Sequence, residues 1–253
     1  MEPGVFETLK VTDGRFLWLK PHLERLATSL RSTAPSVSLN LRRIHAELQG
    51  ALREKGLREA YVRFTLVCRP KGKTLSFVIL KSPKQISPAL FHRGVSVETS
   101  ATRRNSLAAL SGELKVREFQ NGLLCILEGL GRPEIFERIY LDTQGYVCEG
   151  TIANLFLLKG DELVTPPSYL GVLSGVTRSA VLAVGRRQGL RVAQRPFTRF
   201  ELYNAEEVFL TNTSFGILPV VKADGRPIGD GKVGSWTGRL RKAYQEESVR
   251  SDE

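Results

Sequence analysis

Residues 136–165 constrain the fold more than any other part of the chain, because four short apolar segments there alternate with polar turns. The segments are too short for helices and are bounded by turn residues such as Gly145 and Gly160, which is typical of β-strands. A predicted helix then begins near Thr177 and ends before Gly189. The strands of this predicted meander are residues 136–142, 146–149, 153–158 and 163–165. This part of the chain therefore combines a sheet with a helix.

The N-terminal part of the chain also mixes strands with helices. Residues 5–18 alternate around a short turn and predict a hairpin. Residues 60–68 alternate in the strand period, which places Arg63 on the polar face of a strand. Prolines and serines then interrupt the pattern before a new strand begins at Gly94. We predict a mixed α/β (α+β) fold with a small N-terminal α/β domain (1–85), a linker (86–93) and a larger C-terminal domain (94–253).

Composition restricts the classes of protein to which the chain can belong. A net charge of +11 favours an anionic partner, such as a phosphorylated cofactor or a carboxylated substrate. The basic residues are spread along the chain and are not interleaved with aromatic residues, so we do not expect nucleic-acid binding. The 3 cysteines and 3 histidines lack disulfide or metal-ligand spacing, and we predict no metal. No apolar signal or membrane-spanning segment is evident, which favours a cytoplasmic protein without a membrane partner.

Lys115 is the only lysine between Lys84 and Lys159. Its neighbours in the sequence are mostly apolar or small. A lysine that is shielded from water binds its proton less tightly, and its amine can then act as a nucleophile or as a base. Most isolated lysines have no chemical role, so Lys115 is a candidate that needs support from other residues.

Glu149 is a carboxylate at the end of an apolar predicted strand, next to Gly150. If it is buried it needs a cationic partner, because the burial of an unpaired carboxylate is costly. A protonated pyridine nitrogen would satisfy this need and would keep such a ring an electron sink. A salt bridge to a nearby arginine would satisfy it as well, and without further residues the arginine is the preferred partner.

Two polar segments could bind a phosphate group. Gly175 to Arg178 begins a predicted helix, where backbone N–H groups and the Thr177 hydroxyl point toward one spot. Residues 211–214, Thr-Asn-Thr-Ser, end a predicted strand and could complete an anion-binding turn. A threonine at a helix start can also be a simple cap. Neither segment has the glycine spacing of the Walker or dinucleotide motifs.

Five longer segments carry a resemblance that covers nearly the whole chain. In order, they are GVFETLKVTDGRF, HLERLATSL, YLDTQGYVCEGTIANLF, TPPSYLGVLSGVTRSAV and LYNAEEVFLTNTSFGILPVVKADGRPIGDGKVG. They resemble the signature segments of the fold type IV pyridoxal-phosphate enzymes, which include branched-chain and D-amino acid aminotransferases and 4-amino-4-deoxychorismate lyase. The resemblance implies a two-domain, D-amino acid aminotransferase-like fold, with pyridoxal 5'-phosphate as cofactor between the domains. It also implies a homodimer.

The resemblance gives each candidate residue an expected role. Lys115 matches the lysine that bonds to the cofactor and shuttles the proton, and Glu149 matches the glutamate that pairs with the pyridine nitrogen. Arg25 matches the phosphate-binding arginine, although its own sequence context indicates only a solvent-exposed arginine on a helix. Leu173 is expected to pack on the face of the cofactor ring, and Arg63 is expected to bind a substrate carboxylate. Four further residues are expected to contact the phosphate: Val176, Thr177, Thr213 and Ser214.

Two departures from the branched-chain pattern bear on the reaction. Branched-chain enzymes usually have a tyrosine five residues after the lysine, where this chain has Gln120, and they usually read FEG where it has Thr8 after Phe6 and Glu7. We therefore predict a 4-amino-4-deoxychorismate lyase, which releases pyruvate from the anionic aminodeoxychorismate and forms 4-aminobenzoate for folate synthesis. The alternative is a class IV aminotransferase of the branched-chain or D-amino acid type.

Overall fold

The chain divides into two structural units. The computed structural model describes residues 4–68, 74–81, 86–106, 114–116 and 120–250. Of these, the first unit contains residues 4–68, 74–81, 114–116 and 247–250, and the second contains residues 86–106 and 120–246. The segment of Lys115 thus groups with the N-terminal residues, because Val116 pairs with Val5.

The first unit contains a four-stranded antiparallel sheet. Its strands are β1 (Gly4–Thr12), β2 (Arg15–Leu17), β3 (Ala60–Cys68) and β4 (Thr74–Lys81), in the order β2-β1-β3-β4. The predicted hairpin is confirmed: Asp13 and Gly14 have φ angles of 51° and 79°, which suit a tight turn between twisted strands. The predicted strand at 60–68 is confirmed as β3.

Two helices pack on one face of this sheet: α1 (Leu19–Thr33) and α2 (Leu41–Glu54). Leucines at helical spacing on α1, among them Leu23 and Leu26, are buried with the inward residues of β1 and β3. Because side chains alternate along a strand, Glu7 shares the helix-facing side of β1 with Val5 and Leu9. Phe6 and its alternate neighbours therefore lie on the opposite face.

The second unit contains a nine-stranded mixed sheet in the order β10-β9-β8-β11-β12-β5-β6-β7, with β13 beside β12. The strands are β5 (Val95–Arg103), β6 (Ile135–Leu141), β7 (Val147–Gly150), β8 (Asn154–Lys159), β9 (Glu162–Thr165), β10 (Arg191–Gln194), β11 (Glu207–Asn212), β12 (Gly216–Ala223) and β13 (Arg226–Pro227). Four of them, β6 to β9, confirm the predicted strands. The simple meander is wrong, however, because β7 and β8 are not neighbours in the sheet. Residues 151–153 join them, and the Gly150 N–H donates a 2.7 Å bond to the Ala153 carbonyl, so the end of β7 still lies close to the start of β8.

Five α-helices begin among the described residues of the second unit. They are α3 (Pro88–Arg93), α4 (Gln120–Glu128), α5 (Val176–Arg187), α6 (Arg199–Tyr203) and α7 (Ser235–Arg250), with a 3₁₀ turn at Ser168–Leu170. The predicted linker, 86–93, includes α3, whose Leu90 and Phe91 pack against the core of this unit. The mixed α/β class is confirmed. Within the residues that the structure describes, no helix has the length and apolar character to span a membrane.

Candidate active site

The backbone around Lys115 is fixed to the first strand and the first helix. The carbonyl oxygen of Lys115 accepts a hydrogen bond of 3.1 Å from the Phe6 N–H. The Lys115 N–H in turn donates a 3.5 Å bond to the Ser29 hydroxyl on α1. Lys115 is partly buried, and its Nζ lies 4.8 Å from the centroid of the Phe6 ring. The lysine therefore stands on the face of β1 that is opposite α1.

Arg63 shares the Phe6 ring with Lys115. Its Cζ lies 3.9 Å from the ring centroid, which is a favourable cation–π distance. Arg63 is partly buried on β3, opposite Thr8 of β1 in the antiparallel register. Two cations therefore converge on one face of the small sheet. Such a face suits an anionic group, and the contact of Arg63 with a substrate carboxylate stays a prediction.

A buried ionic cluster occupies the other face of β1. Glu7 is fully buried, and its Oε1 accepts a 2.7 Å bond from Arg25 Nε. Its Oε2 accepts bonds of 2.6 Å from Arg25 Nη2 and 2.7 Å from His22 Nδ1. Arg25 is therefore not a solvated helix residue: 12% of its side chain is exposed, and Glu7 holds it. The phosphate role of Arg25 stays a prediction.

The acid titration of this cluster gives a test of the first unit. Burial raises the pKa of Glu7, but the charge and hydrogen bonds of Arg25 and the bond from His22 outweigh it, so the pKa falls from 4.5 to about 2. Burial lowers the pKa of His22 below its ordinary 6.5 and outweighs the opposing effect of Glu7. Both pKa values are lower in the folded state. The stability they contribute is therefore complete above the unfolded pKa and is lost as pH falls.

We expect the free energy of unfolding to fall first below about pH 6.5 through His22, then between about pH 4.5 and 2 through Glu7. The Glu7 shift corresponds to roughly 3 kcal/mol. Urea unfolding of wild type and Glu7→Gln at a series of pH values measures it, because the variant lacks the titrating carboxyl. Wild type should lose more stability than the variant below pH 4.5. Parallel curves there would contradict the assignment.

In the second unit, the contacts of Glu149 on β7 include an arginine, an asparagine and a backbone N–H. Arg104 Nη2 lies 2.8 Å from its Oε1. Its Oε2 accepts bonds of 2.8 Å from Asn154 Nδ2 and 3.0 Å from the Leu173 N–H. The glutamate side chain is 7% exposed. The arginine partner that the sequence left open is therefore present, and the carboxylate is fixed in orientation.

Asn154 connects this carboxylate to the start of α5. Its Nδ2 also donates a 2.9 Å bond to the Leu173 carbonyl, so both backbone groups of Leu173 are used around Glu149. Gly175, which precedes α5, lies so close that an added Cβ would collide with Asn154 Oδ1. The predicted ring contact Leu173 thus bonds to Glu149, and α5, which begins with the predicted phosphate contacts Val176 and Thr177, starts directly after Gly175.

Gly175→Ala is expected to destabilise the second unit and to displace Asn154. Over-packing a buried position of this kind costs roughly 1–3 kcal/mol. Gly238→Ala is the matched control, because an added Cβ at Gly238 in α7 meets nothing within 4 Å. Thermal unfolding should show a lower Tm for Gly175→Ala and an unchanged or higher Tm for Gly238→Ala. An equal Tm for Gly175→Ala and wild type would show that the close contact is relieved without cost.

The turn after β11 carries the last two predicted phosphate contacts. Asn212 Oδ1 accepts hydrogen bonds of 2.8 Å from the Ser214 N–H and 3.0 Å from the Phe215 N–H, which closes the turn. Thr213 and Ser214 are partly exposed within it. The Asn212 amide lies 3.4 Å from the carbonyl oxygen of Ile152, in the loop after β7. The turn and the Glu149 loop are therefore tied together.

Sequence reasoning missed four residues of these clusters: Glu7, His22, Arg104 and Asn154. The sequence did indicate the first two. Glu7 alternates with the apolar residues of β1 and would be buried, so it requires polar partners. His22 and Arg25 are one helical turn apart and could both reach it. Asn154 carried a weaker signal as a polar residue in a buried strand. Arg104 carried none, since its pairing with Glu149 depends on the order β5-β6-β7 in the large sheet.

Comparison with known proteins identifies the family. The profile described as Amino-transferase class IV matches residues 4–223. The chain belongs to the class IV aminotransferase family. Its predicted membership of the fold type IV pyridoxal-phosphate enzymes, and with it the predicted cofactor class, is thereby confirmed.

Three proteins that are similar to this chain are named as branched-chain amino acid aminotransferases. A Methanocaldococcus jannaschii protein assigned as a branched-chain-amino-acid aminotransferase is 31% identical over 252 residues, which is 96% of this chain and 86% of the relative. The branched-chain-amino-acid aminotransferase of Pseudomonas aeruginosa is 29% identical and covers 95% of this chain and 82% of its own. The crystal structure of the Escherichia coli branched-chain amino acid aminotransferase has a TM-score of 0.88 at 25% identity, covering 96% of this chain and 84% of its own. The predicted lyase activity gains no support from these names.

Proposed function

We propose that this protein is a pyridoxal-phosphate-dependent aminotransferase that acts on branched-chain amino acids. The observation that carries the proposal is the similarity over most of the chain to proteins named as branched-chain aminotransferases. This similarity therefore favours a class IV aminotransferase, the alternative prediction from the sequence, over the predicted lyase. The overall reaction moves an amino group from an amino acid to a 2-oxo acid.

The residues present fit the cofactor in their chemistry. Lys115 offers a partly buried amine for the aldehyde, and Glu149 offers a carboxylate for a ring nitrogen. The first N–H groups of α5, at Val176 and Thr177, suit a phosphate because a helix start carries partial positive charge. Arg25, Thr213 and Ser214 are proposed as further phosphate contacts. Pyridoxal phosphate supplies the electron sink when it is bound.

The proposed roles of the chain's own residues follow from these groups. With the cofactor bound, the Lys115 amine would act as the base that takes the proton from the substrate carbon bearing the amino group and as the acid that gives a proton back. Glu149, oriented by Asn154 and Arg104, keeps the ring nitrogen protonated. Arg63 binds the carboxylate of the substrate beside Phe6. Leu173 would pack on the face of the ring.

Incubation with single amino acids tests the proposed reaction. Purified protein loaded with cofactor is mixed with leucine, isoleucine or valine and with no 2-oxo acid. We expect the absorbance to change to that of pyridoxamine phosphate, with one 2-oxo acid released per site. Addition of 2-oxoglutarate should restore the original spectrum. If none of the three amino acids changes the spectrum, the branched-chain assignment is wrong.

A lyase is the second candidate, and Gln120 and Thr8 are the residues that favour it. The same preparation is given aminodeoxychorismate, and pyruvate and 4-aminobenzoate are measured. Formation of both products without the amino-acid reaction would replace the aminotransferase proposal. Formation of neither product, together with amino-group transfer, would remove the lyase.

The homodimer implied by the resemblance is part of the proposal. Within the described residues, α4 and the residues just after it expose five large apolar side chains: Leu123, Leu124, Ile126, Leu127 and Leu130. Apolar clusters of this kind commonly mark contact with a partner protein. Sedimentation at micromolar concentration should give about twice the mass of 28.1 kDa. A monomer at that concentration would contradict the proposal.

A further inference from the structure

Glu7 occupies a position in β1 that the strand pattern reserves for apolar residues. Val5 and Leu9, which lie on the same face of β1 as Glu7, belong to the core beneath α1. Glu7 itself is fully buried. A carboxylate at such a position carries a desolvation cost that apolar side chains do not have. The position therefore calls for an explanation beyond core packing.

The geometry around Glu7 is that of a clamp on one arginine. Arg25 donates from Nε to one carboxylate oxygen and from Nη2 to the other, at 2.7 and 2.6 Å. Two parallel bonds of this type fix the plane of a guanidinium group. His22 Nδ1, 2.7 Å from Oε2, holds the carboxylate from a second side. The orientation of Arg25 is therefore set by Glu7, and that of Glu7 by His22.

Stability alone is a weak reason for this arrangement. Buried ion pairs return about as much Coulomb energy as they lose in desolvation, and apolar replacements are often neutral or better. An arginine with free rotamers loses much conformational freedom when it binds an anion. A clamp that removes this freedom during folding makes later anion binding more favourable.

We propose that Glu7 and His22 are positioning residues that preorganise Arg25 for the phosphate group of the cofactor. The inference rests on the proposed function, in which Arg25 is a phosphate contact. Two effects of Glu7 oppose each other: its negative charge weakens the attraction between this region and a phosphate, whereas its clamp orients the arginine. The proposal is that orientation prevails, so removal of the charge weakens phosphate binding.

Cofactor affinity without turnover tests the proposal. The apoprotein is titrated with pyridoxal phosphate and, separately, with pyridoxal, which lacks the phosphate. Glu7→Gln should raise the Kd for pyridoxal phosphate by about ten- to a hundredfold, the range expected for loss of one hydrogen bond between charged groups. The Kd for pyridoxal should not change. An equal rise for both ligands would indicate a general structural defect and would overturn the proposal, as would unchanged or tighter phosphate binding.

Matched variants separate the clamp from other effects. Arg25→Gln should show the same phosphate-specific loss, and Glu7→Gln should add little in that background if it acts through Arg25. Additive losses would overturn the proposal. Glu47→Gln removes a carboxylate from the exposed Arg43–Glu47 pair and should change neither Kd.

Two further outcomes are distinguishable. If Glu7→Gln does not fold, His22→Ala takes its place, because it removes one donor to Glu7 and leaves the carboxylate. A phosphate-specific loss supports the proposal there too, and no loss or an equal loss for both ligands overturns it. If wild type binds neither ligand, the proposed function fails instead, since Arg25 would then have no cofactor to bind.

Discussion

Lys115→Met is expected to lower turnover by about 10⁴-fold, because proton transfer by a positioned group contributes up to about that factor. Methionine keeps a chain of similar length beside Phe6, where the Lys115 amine lies 4.8 Å from the ring centroid. The backbone bonds to Phe6 and Ser29 do not involve the side chain, so the segment should stay in place. The variant should therefore fold and bind cofactor without a covalent bond to it.

Borohydride reduction and mass spectrometry measure that bond directly. Reduced wild type should carry one cofactor mass on the peptide that contains Lys115, and the variant should carry none. Lys159→Met is the control, because Lys159 is an exposed lysine at the end of β8. It should retain both the added mass and the turnover. A modified peptide in the Lys115→Met protein would place the nucleophile at another lysine.

Local patterns were enough for most elements. The hairpin of β1 and β2 and the strands β3 and β6 to β9 follow from alternation and turn residues, which depend on neighbours in the chain. The order of the large sheet does not, because β7 and β8 look like consecutive partners but pair with different strands. Long-range pairing is decided by how whole faces pack, and a single sequence does not display that.

The contrast between local patterns and long-range contacts also applies to the candidate site. Lys115 and Glu149 could be predicted because each is an isolated charged residue in an unusual sequence setting, and the family resemblance assigned both to one cofactor. Arg104 could not be predicted, because 45 residues separate it from the carboxylate that it contacts. The Glu7 cluster spans a strand and a helix 15 to 18 residues apart. It was hidden because His22 and Arg25 look like ordinary polar residues of an amphipathic helix.

Glu149→Gln is expected to have the second large effect, with turnover lower by about 10²–10³-fold. The change keeps the shape of the side chain and its contacts with Asn154 and Leu173, but it removes the charge that would stabilise a protonated ring nitrogen. Arg104, whose side chain is 11% exposed, also loses its ion pair. Breaking a buried pair from one side costs roughly 3–5 kcal/mol. Both turnover and Tm should therefore fall.

A double variant separates these two effects. Adding Arg104→Met to Glu149→Gln removes the cation that the first change left unpaired, so part of the lost Tm should return. Turnover should stay low, because the group opposite the ring nitrogen is still uncharged. If turnover recovers together with Tm, Glu149 serves the fold alone and the ring nitrogen has another partner. If Tm recovers and turnover does not, the carboxylate acts on the cofactor, and Arg104 and Asn154 hold it there.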